Sequence, residues 1–568
     1  MKNLVEHLIA LYENDLGRAT ASRVAALLEK YRGRIPQPRA PELTARDAIL
    51  ITYGDQVRTA DQVPLQTLAN FCATHLRGIV SSIHVLPFYP YSSDDGFSIV
   101  DYRAVNPTLG TWEDITRLRQ DFRLMLDLVA NHVSAQSEWF QEFLRGNPGY
   151  RDYFICVPEG ADLSQVVRPR TAPVLTQFTT PSGIQNVWTT FSTDQIDLNY
   201  RNPDVLIEII DVLLSYVSRG AEFIRLAAIA FLWKEFGTNC VHLPQTHRII
   251  QLLRAVLDEI APHVVLITET NVPHEENISY FGDGTNEAQM VYNFALPPLT
   301  LHTLHTGDAT RLTHWASTLV LPSPRVTFFN FLASHDGIGL NPARGILSEA
   351  EIDALVARTL AHAGRVSYKN NPDGTASPYE LNINLFDALN DPQTDESLDT
   401  QIDRFIAAQA IMLSLVGVPG IYFHSLFGSR GWREGVEQTG QNRTINREKL
   451  DRAMLERELA DVNSRRHKVF ARYARLLVAR AAQPAFNPCG AMRVLDGGAA
   501  ILAVLRGESP ETVLCLQNVS AMRQVVERDI VGLLDSPRVS DLLTNQVLDA
   551  SQARILSPYQ SRWLVCSN

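Results

Sequence analysis

The chain is poor in everything that ties a protein to an oxidising compartment, a membrane or a polyanion. Its six cysteines (Cys72, Cys156, Cys240, Cys489, Cys515 and Cys566) are scattered singly, with no C-x-x-C pair. Such spacing argues against a disulfide framework or a zinc knuckle and for reduced thiols filling cores. No run of about 18 apolar residues is present, which excludes an ordinary membrane-spanning helix. The first residues, Met1-Lys2-Asn3-Leu4-Val5-Glu6-His7, lack the basic-then-apolar order of a secretory leader, and a cytoplasmic protein is expected. Basic residues are in deficit, 51 Lys and Arg against 62 Asp and Glu for a net charge of -11. Nucleic-acid binding needs clustered positive charge and is not expected; a local basic pocket for a small anion remains compatible. No cluster with metal-ligand spacing occurs, so neither a metal nor an organic cofactor is expected.

What is there reads as a large soluble globular protein. At 568 residues with 45% hydrophobic content, the chain can bury a big core and carry satellites. Leu4, Leu8, Leu11 and Tyr12 recur at helical spacing, and Pro36, Pro38 and Pro41 then break the pattern. Short apolar runs follow, first Ala48-Ile49-Leu50-Ile51-Thr52-Tyr53 and then Ile83-His84-Val85-Leu86-Pro87. Apolar strands alternating with amphipathic helices predict parallel βα units, and eight of them would close a barrel with its chemistry at the strand C-termini. After Arg480 the pattern changes to short alternating runs such as Ala500-Ile501-Leu502-Ala503-Val504, which predict a small β-domain.

Four segments end such apolar runs and carry polar residues together. They are Asp127-Leu128-Val129-Ala130-Asn131-His132, then Ile224-Arg225-Leu226-Ala227, then Ile267-Thr268-Glu269, then Ser334-His335-Asp336. In this order they resemble the third-, fourth-, fifth- and seventh-strand motifs of the α-amylase superfamily, glycoside hydrolase family 13. Gln195-Ile196-Asp197-Leu198-Asn199 resembles a further block between the third and fourth. The resemblance covers roughly residues 45 to 450. It implies an α/β fold, a (β/α)8 TIM barrel over residues 47–480 with an inserted domain B at about 133–199. A helical extension over residues 1–46 would precede the barrel, and a β-domain over residues 481–568 would follow it.

One position departs from the family pattern. Where the fourth-strand motif has the aspartate that attacks the anomeric carbon, this chain has Ala227. Arg225, two residues earlier and so on the same strand face, would normally orient that carboxylate. The resemblance further implies Glu269 as general acid/base and Asp336 as the group that grips the distorted sugar ring, with His132 and His335 on neighbouring hydroxyls. Asp127 is expected to act as a structural bond-maker beneath the site.

Other segments narrow the resemblance to the sucrose-phosphorylase-like subfamily 18. Ser93-Asp94-Asp95-Gly96-Phe97 is similar to its D-x-G-F block, in which Asp94 would bind the glucose 4-hydroxyl and Phe97 would stack on the ring. Gly440-Gln441-Asn442-Arg443-Thr444-Ile445-Asn446-Arg447 is similar to its late block, with Arg443 joining Asp94 to close the glucose subsite. Gln195 is a further implied sugar contact. Arg168-Pro169-Arg170 matches domain B residues that hold phosphate, Arg170 above all. Within the subfamily, Lys369-Asn370-Asn371-Pro372-Asp373-Gly374-Thr375 and the helical extension resemble the members that phosphorolyse glucosylglycerate. Ser377 and Glu380 stand where the sucrose enzymes carry an Asp and a Gln near fructose.

The resemblance therefore implies a retaining phosphorylase. It would convert 2-O-α-D-glucosyl-D-glycerate and phosphate reversibly to α-D-glucose 1-phosphate and D-glycerate, and it would be disabled here at position 227. The partners are then small molecules (the glucoside, phosphate and D-glycerate), on a monomer or homodimer. Two alternatives stay open: a sucrose or sucrose-6-phosphate phosphorylase, and a sugar-binding relative without catalysis.

Overall fold

The computed structural model describes residues 2–169, 173–371 and 375–567. Eight parallel strands close into a barrel: β1 (Ile49–Thr52), β2 (Ser82–Val85), β3 (Arg123–Val129), β4 (Ala221–Ala227), β5 (Val265–Thr268), β6 (Met290–Tyr292), β7 (Thr327–Phe331) and β8 (Val418–Tyr422). β1 pairs with both β2 and β8, so the ring has no free edge. These strands are buried along their whole length because helices cover the outside and side chains fill the inside. The expected α/β barrel is the fold of this chain.

The two-residue period of a strand sorts each barrel side chain inward or outward. Ile49, Ile51, Met125, Phe223, Ile267, Met290, Phe329 and Val418 form the interior layer. Leu50, Leu124, Leu126, Ile224, Leu226 and Leu266 face the helices instead. On β4, Phe223 is inside, so Arg225 and Ala227 share its face and stand successively nearer the barrel mouth. At the barrel floor, buried Arg123 bridges Asp47 at 3.0 Å and Glu222 at 2.9 Å, tying three strand beginnings together.

The remaining segments surround this ring. Helices α1 (Lys2–Tyr12) and α2 (Asn14–Tyr31) bury Leu4, Leu8, Tyr12, Val24 and Leu28. Ion pairs Arg23–Asp204 and Lys30–Asp211, both 2.6 Å, fasten α2 to the helix Pro203–Ser218 that precedes β4. Between β3 and β4 lie two antiparallel pairs, His132–Ser134 with Gln195–Asp197 and Leu175–Thr180 with Gly183–Trp188. A long excursion between β7 and β8 contains the hairpin Arg365–Asn370 and Ala376–Asn382, which also pairs with Ile338–Gly339. Beyond Ala481 the chain forms a six-stranded sheet with its own apolar core around Leu514, Leu516, Val539 and Leu564. All six cysteines are free thiols, and no helix among the described residues is long and apolar enough to cross a membrane.

Candidate active site

The mouth of the barrel is built on a buried ionic base. Asp127 on β3 is fully buried between His84 on β2, 2.6 Å away, and the Arg225 Nη1 donor on β4, 2.5 Å away. Burial alone would raise the Asp127 carboxyl, but the neighbouring His84 and Arg225 outweigh it and bring it to about 2. Asp127 is thus the fixed anion beneath the site, which is where the sequence suggested it would act. It orients the Arg225 guanidinium, whose faces lie against the rings of Phe97 and Tyr292.

Above that base the strand ends converge. Ala227 closes β4, and Ala228 takes a left-handed conformation (φ 53°) that swings the chain away at once. Glu269, just past β5, accepts the Ala228 N–H at Oε2 over 3.0 Å and stands 3.6 Å from Arg225 Nη2. Arg225 Nε, buried on a residue that lines the same cavity as Ala227, has no hydrogen-bond acceptor among the described residues. A buried N–H left without an acceptor costs about 1–3 kcal/mol. The orphan lies on the face where the fourth-strand motif of family 13 carries a carboxylate.

The opposite wall is densely paired. Asp336 lies 2.6 Å from Arg443 Nη1, 3.3 Å from Arg447 Nη2 and 3.3 Å from His335 Nε2. Burial pulls the Asp336 carboxyl upward, yet Arg443, His335, Arg447 and Arg225 together hold it well below the ordinary carboxylate range. Burial pushes the His335 imidazole down to about 3, so it is neutral at neutral pH. Its ring stacks on Phe97 with centroids 4.9 Å apart. Phe97 follows the turn Asp94-Asp95-Gly96, where Asp94 and Asp95 have positive φ. A Cβ on Gly96 would come within 2.5 Å of the Pro87 carbonyl, so only glycine fits that turn.

Gln195 links the glucose-side residues, its Nε2 lying 3.2 Å from both Asp94 Oδ2 and His132 Nε2. His132 Nε2 is also 3.0 Å from the Phe97 carbonyl. Asp94, Phe97, His132, Gln195, Arg225, Ala227, Glu269, His335, Asp336, Glu380 and Arg443 all line one small cavity. Residues separated by more than 300 positions in sequence are brought within one side chain of each other.

Two of the expected pairings differ in detail. The ion pairs of Arg443 run to Asp336 and to Glu380, at 2.6 and 2.9 Å, with Asp94 close enough to add to the field. Glu380 was expected at the acceptor. It is instead buried, held by the Arg443 fork and by the Gly337 N–H, and a Cβ at Gly337 would collide with its carboxylate at 2.6 Å. Ser377 bonds within its own hairpin, to Asn371 Oδ1 at 3.1 Å.

The small cavity opens through Glu269, Asn271 and Tyr379 into a larger one of about 630 Å³. Exposed Arg168 lines this outer cavity, together with Arg344 and Lys369. Arg170 lies outside the described residues. The Lys369 ammonium is half-buried, and burial and then Arg344 lower its pKa. Among the described residues no carboxylate pairs with it. No group of three or more His, Cys, Asp or Glu among the described residues could hold a metal.

The α-amylase catalytic domain family matches residues 76–336. A glucosylglycerate phosphorylase of Allomeiothermus silvanus is 52% identical over 564 residues, covering 99% of this chain and 98% of its own. A sucrose phosphorylase of Agrobacterium vitis is 30% identical over 480 residues, covering 80% of this chain and 91% of its own. The crystal structure of sucrose 6F-phosphate phosphorylase from Thermoanaerobacter thermosaccharolyticum superposes with a TM-score of 0.74 at 24% identity, over 85% of this chain and 96% of that one. The chain belongs to glycoside hydrolase family 13, among its sucrose-phosphorylase-like members.

Sequence reasoning passed over three side chains of this family 13 site. Arg447, which grips Asp336, Asp95 and the His335 carbonyl, lies four residues beyond Arg443 in a segment already singled out. Lys369 opens another such segment, and Arg344 belongs to none. Only the fold brings Arg344 and Lys369 to the outer cavity and Arg447 to Asp336.

Proposed function

We propose that this chain is built as a retaining phosphorylase of 2-O-α-D-glucosyl-D-glycerate and, with Ala227, binds that glucoside without turning it over covalently. The reading rests on the whole-length likeness to a glucosylglycerate phosphorylase. It rests also on a small cavity, read as the glucosyl subsite, that adjoins an outer cavity whose lining includes Arg168, Arg344 and Lys369. The observation that carries it is Lys369, a half-buried ammonium without a carboxylate partner among the described residues, in the outer cavity that Glu269 also lines. Glycerate carboxylate and phosphate are both anions that would use it in turn.

In the complete reaction a carboxylate at position 227 attacks the anomeric carbon while Glu269 gives its proton to the departing glycerate oxygen. Phosphate then attacks the glucosyl-enzyme and leaves as α-D-glucose 1-phosphate, so two inversions give retention. Asp336 grips the ring hydroxyls as an anion, with His335 as a neutral imidazole and Arg443 and Arg447 fixing the carboxylate. Asp94, Gln195 and His132 hold the far hydroxyls, Phe97 stacks beneath the ring, and Arg168 and Arg170 guide phosphate. No cofactor or metal enters this scheme; phosphate is a substrate.

The test is kinetic. The Ala227→Asp variant should release glucose 1-phosphate from glucosylglycerate and phosphate, with a kcat/KM above that for sucrose. Equal or better use of sucrose would transfer the assignment to the sucrose enzymes. A sugar-binding protein without catalysis is the second reading, favoured by Ala227 itself. Failure of Ala227→Asp on every glucoside, with binding retained, would support it.

A further inference from the structure

We propose that the seam between the barrel and the C-terminal sheet holds a second ligand site, for a polyhydroxy anion of monosaccharide size. A cavity of about 320 Å³ lies there, within the usual size range of ligand pockets. Helix Leu398–Ser414 contributes Asp403 to it, helix Arg465–Ala481 contributes Arg472 and Arg475, and the β-domain contributes Tyr559 and Ser561. None of its described lining residues is shared with the small or the outer cavity, so the site stands apart from the function proposed above.

The β-domain brings polar atoms to this seam that the fold leaves unanswered. Gln517, on the strand Glu511–Asn518, lies directly opposite Ser561, on the strand Ser561–Cys566. Their neighbours two residues along, Cys515 and Trp563, join the core shared with the barrel, whereas Leu514 and Leu564 belong to the core of the β-domain itself. Gln517 and Ser561 therefore share the face turned to the barrel helices. Gln517 is fully buried, yet neither its Oε1 nor its Nε2 has a hydrogen-bond partner among the described residues, and Ser561 Oγ has none either. Other polar groups of the lining are engaged: the Thr544 hydroxyl donates to Asp541 at 3.1 Å, and Gln560 Oε1 accepts the Ser557 N–H at 2.8 Å. Buried polar groups are rarely left unpaired. An amide oxygen, an amide NH₂ and a hydroxyl side by side match the hydroxyl groups of a polyol, which both donate and accept.

The charge on the opposite wall supplies the second half of the recognition. Arg472 and Arg475 lie three residues apart on one helix and so on one face. Arg472 is paired with Asp403 at 2.6 Å, while exposed Arg475 has no carboxylate partner among the described residues. The lining therefore carries one unmatched positive charge, which suits a phosphate or carboxylate on the same ligand.

Glucose 6-phosphate and gluconate are the probes, with glucose and inorganic phosphate as controls, titrated into this chain by calorimetry and followed by Tm. At least one of the two probes should bind saturably and raise the Tm, and the one that does identifies the anionic group. Arg475→Ser, a change at an exposed position, should weaken that binding at least about tenfold, the worth of a charge-assisted bond. Gln517→Leu should abolish it, yet leave the Tm without probe unchanged or higher, because an apolar side chain of similar shape replaces an unpaired amide. Binding of neither probe, or binding that both substitutions leave intact, overturns the site. Inorganic phosphate that binds as tightly as glucose 6-phosphate, with the same loss in Arg475→Ser, overturns the polyol assignment. A clear fall in the Tm of Gln517→Leu without probe would mean that the amide serves the fold alone, and would overturn its part in binding.

Discussion

The two walls of the small cavity are built on opposite terms. On the Asp336 side every buried charge has a counter-charge: Arg443 forks onto Asp336 and Glu380, and Arg447 bridges Asp336 and Asp95. On the Ala227 side donors outnumber acceptors. Arg225 Nε is orphaned, and Lys369 in the adjoining outer cavity lacks a carboxylate among the described residues. A saturated network holds one shape and one protonation state, whereas an unsaturated one is ready for an anion from outside. Under the proposed function, the difference would separate the wall that grips the sugar from the wall where chemistry and acceptor exchange take place.

The largest way to break the contrast is to complete the second wall. Ala227→Asp should raise phosphorolysis by about 10⁴-fold or more, roughly 5 kcal/mol of barrier. It should leave the fold intact and give Arg225 an acceptor. Initial rates of glucose 1-phosphate formation decide it, and a gain under tenfold would refute the nucleophile assignment.

Next in size is the damage from opening the first wall. Arg443→Ala leaves Glu380 buried without its cation, and breaking a buried pair costs about 3–5 kcal/mol. Denaturant unfolding should register that loss, along with a raised KM for the glucoside in the Ala227→Asp background. A cost below about 1 kcal/mol would mean that the network is not a structural unit.

Lys369→Ala is the matching cut on the other side and should behave differently. With no carboxylate partner among the described residues to strand, it should change unfolding little. In the Ala227→Asp background it should raise the KM for both phosphate and glycerate by roughly ten- to a hundredfold, since a charge-assisted bond is worth about 1.5–3 kcal/mol. An unchanged phosphate KM removes Lys369 from the acceptor site.

A separate test, of acid stability, concerns the buried histidines, His335 of the paired wall among them. Burial lowers His335, His305 and His424 to about 3 each, from an ordinary 6.5. Between those values the unfolded chain takes up protons that the folded one refuses. Stability therefore falls as pH drops below 6.5, by up to about 1.4 kcal/mol per pH unit for each histidine. Asp336 and Asp127 are depressed, so their contribution is present above about 3.8 and is lost only below it. Tm should decline from pH 6.5 to 4 and drop more steeply beneath; a flat profile from 6.5 to 4 would contradict neutral buried histidines.

Much of the barrel and of the glucose side was legible in sequence because both depend on strand ends. An apolar run fixes where a strand lies, and the polar residues just past it emerge at the mouth, as Glu269 and Asp336 do, while Asp127 and Arg225, inside their strands, lie beneath. The acceptor side was less legible. Glu380 sits in the excursion between β7 and β8, where no periodicity ties a residue to the cavity. It turned inward to Arg443 once Gly337 had made room. Lys369 was visible in the loop, but nothing in the sequence distinguishes a solvated lysine from one beside Glu269.

By itself the sequence determined the closed parallel barrel, the order of its motifs and the missing carboxylate at position 227. These follow from local patterns of apolar and polar residues and from residue identity. Only the tertiary structure decided which charges are matched and which are not. Pairing is a matter of distances between segments far apart in the chain, Asp127 with Arg225 or Glu380 with Arg443. Burial then sets how strongly each unmatched donor seeks an anion.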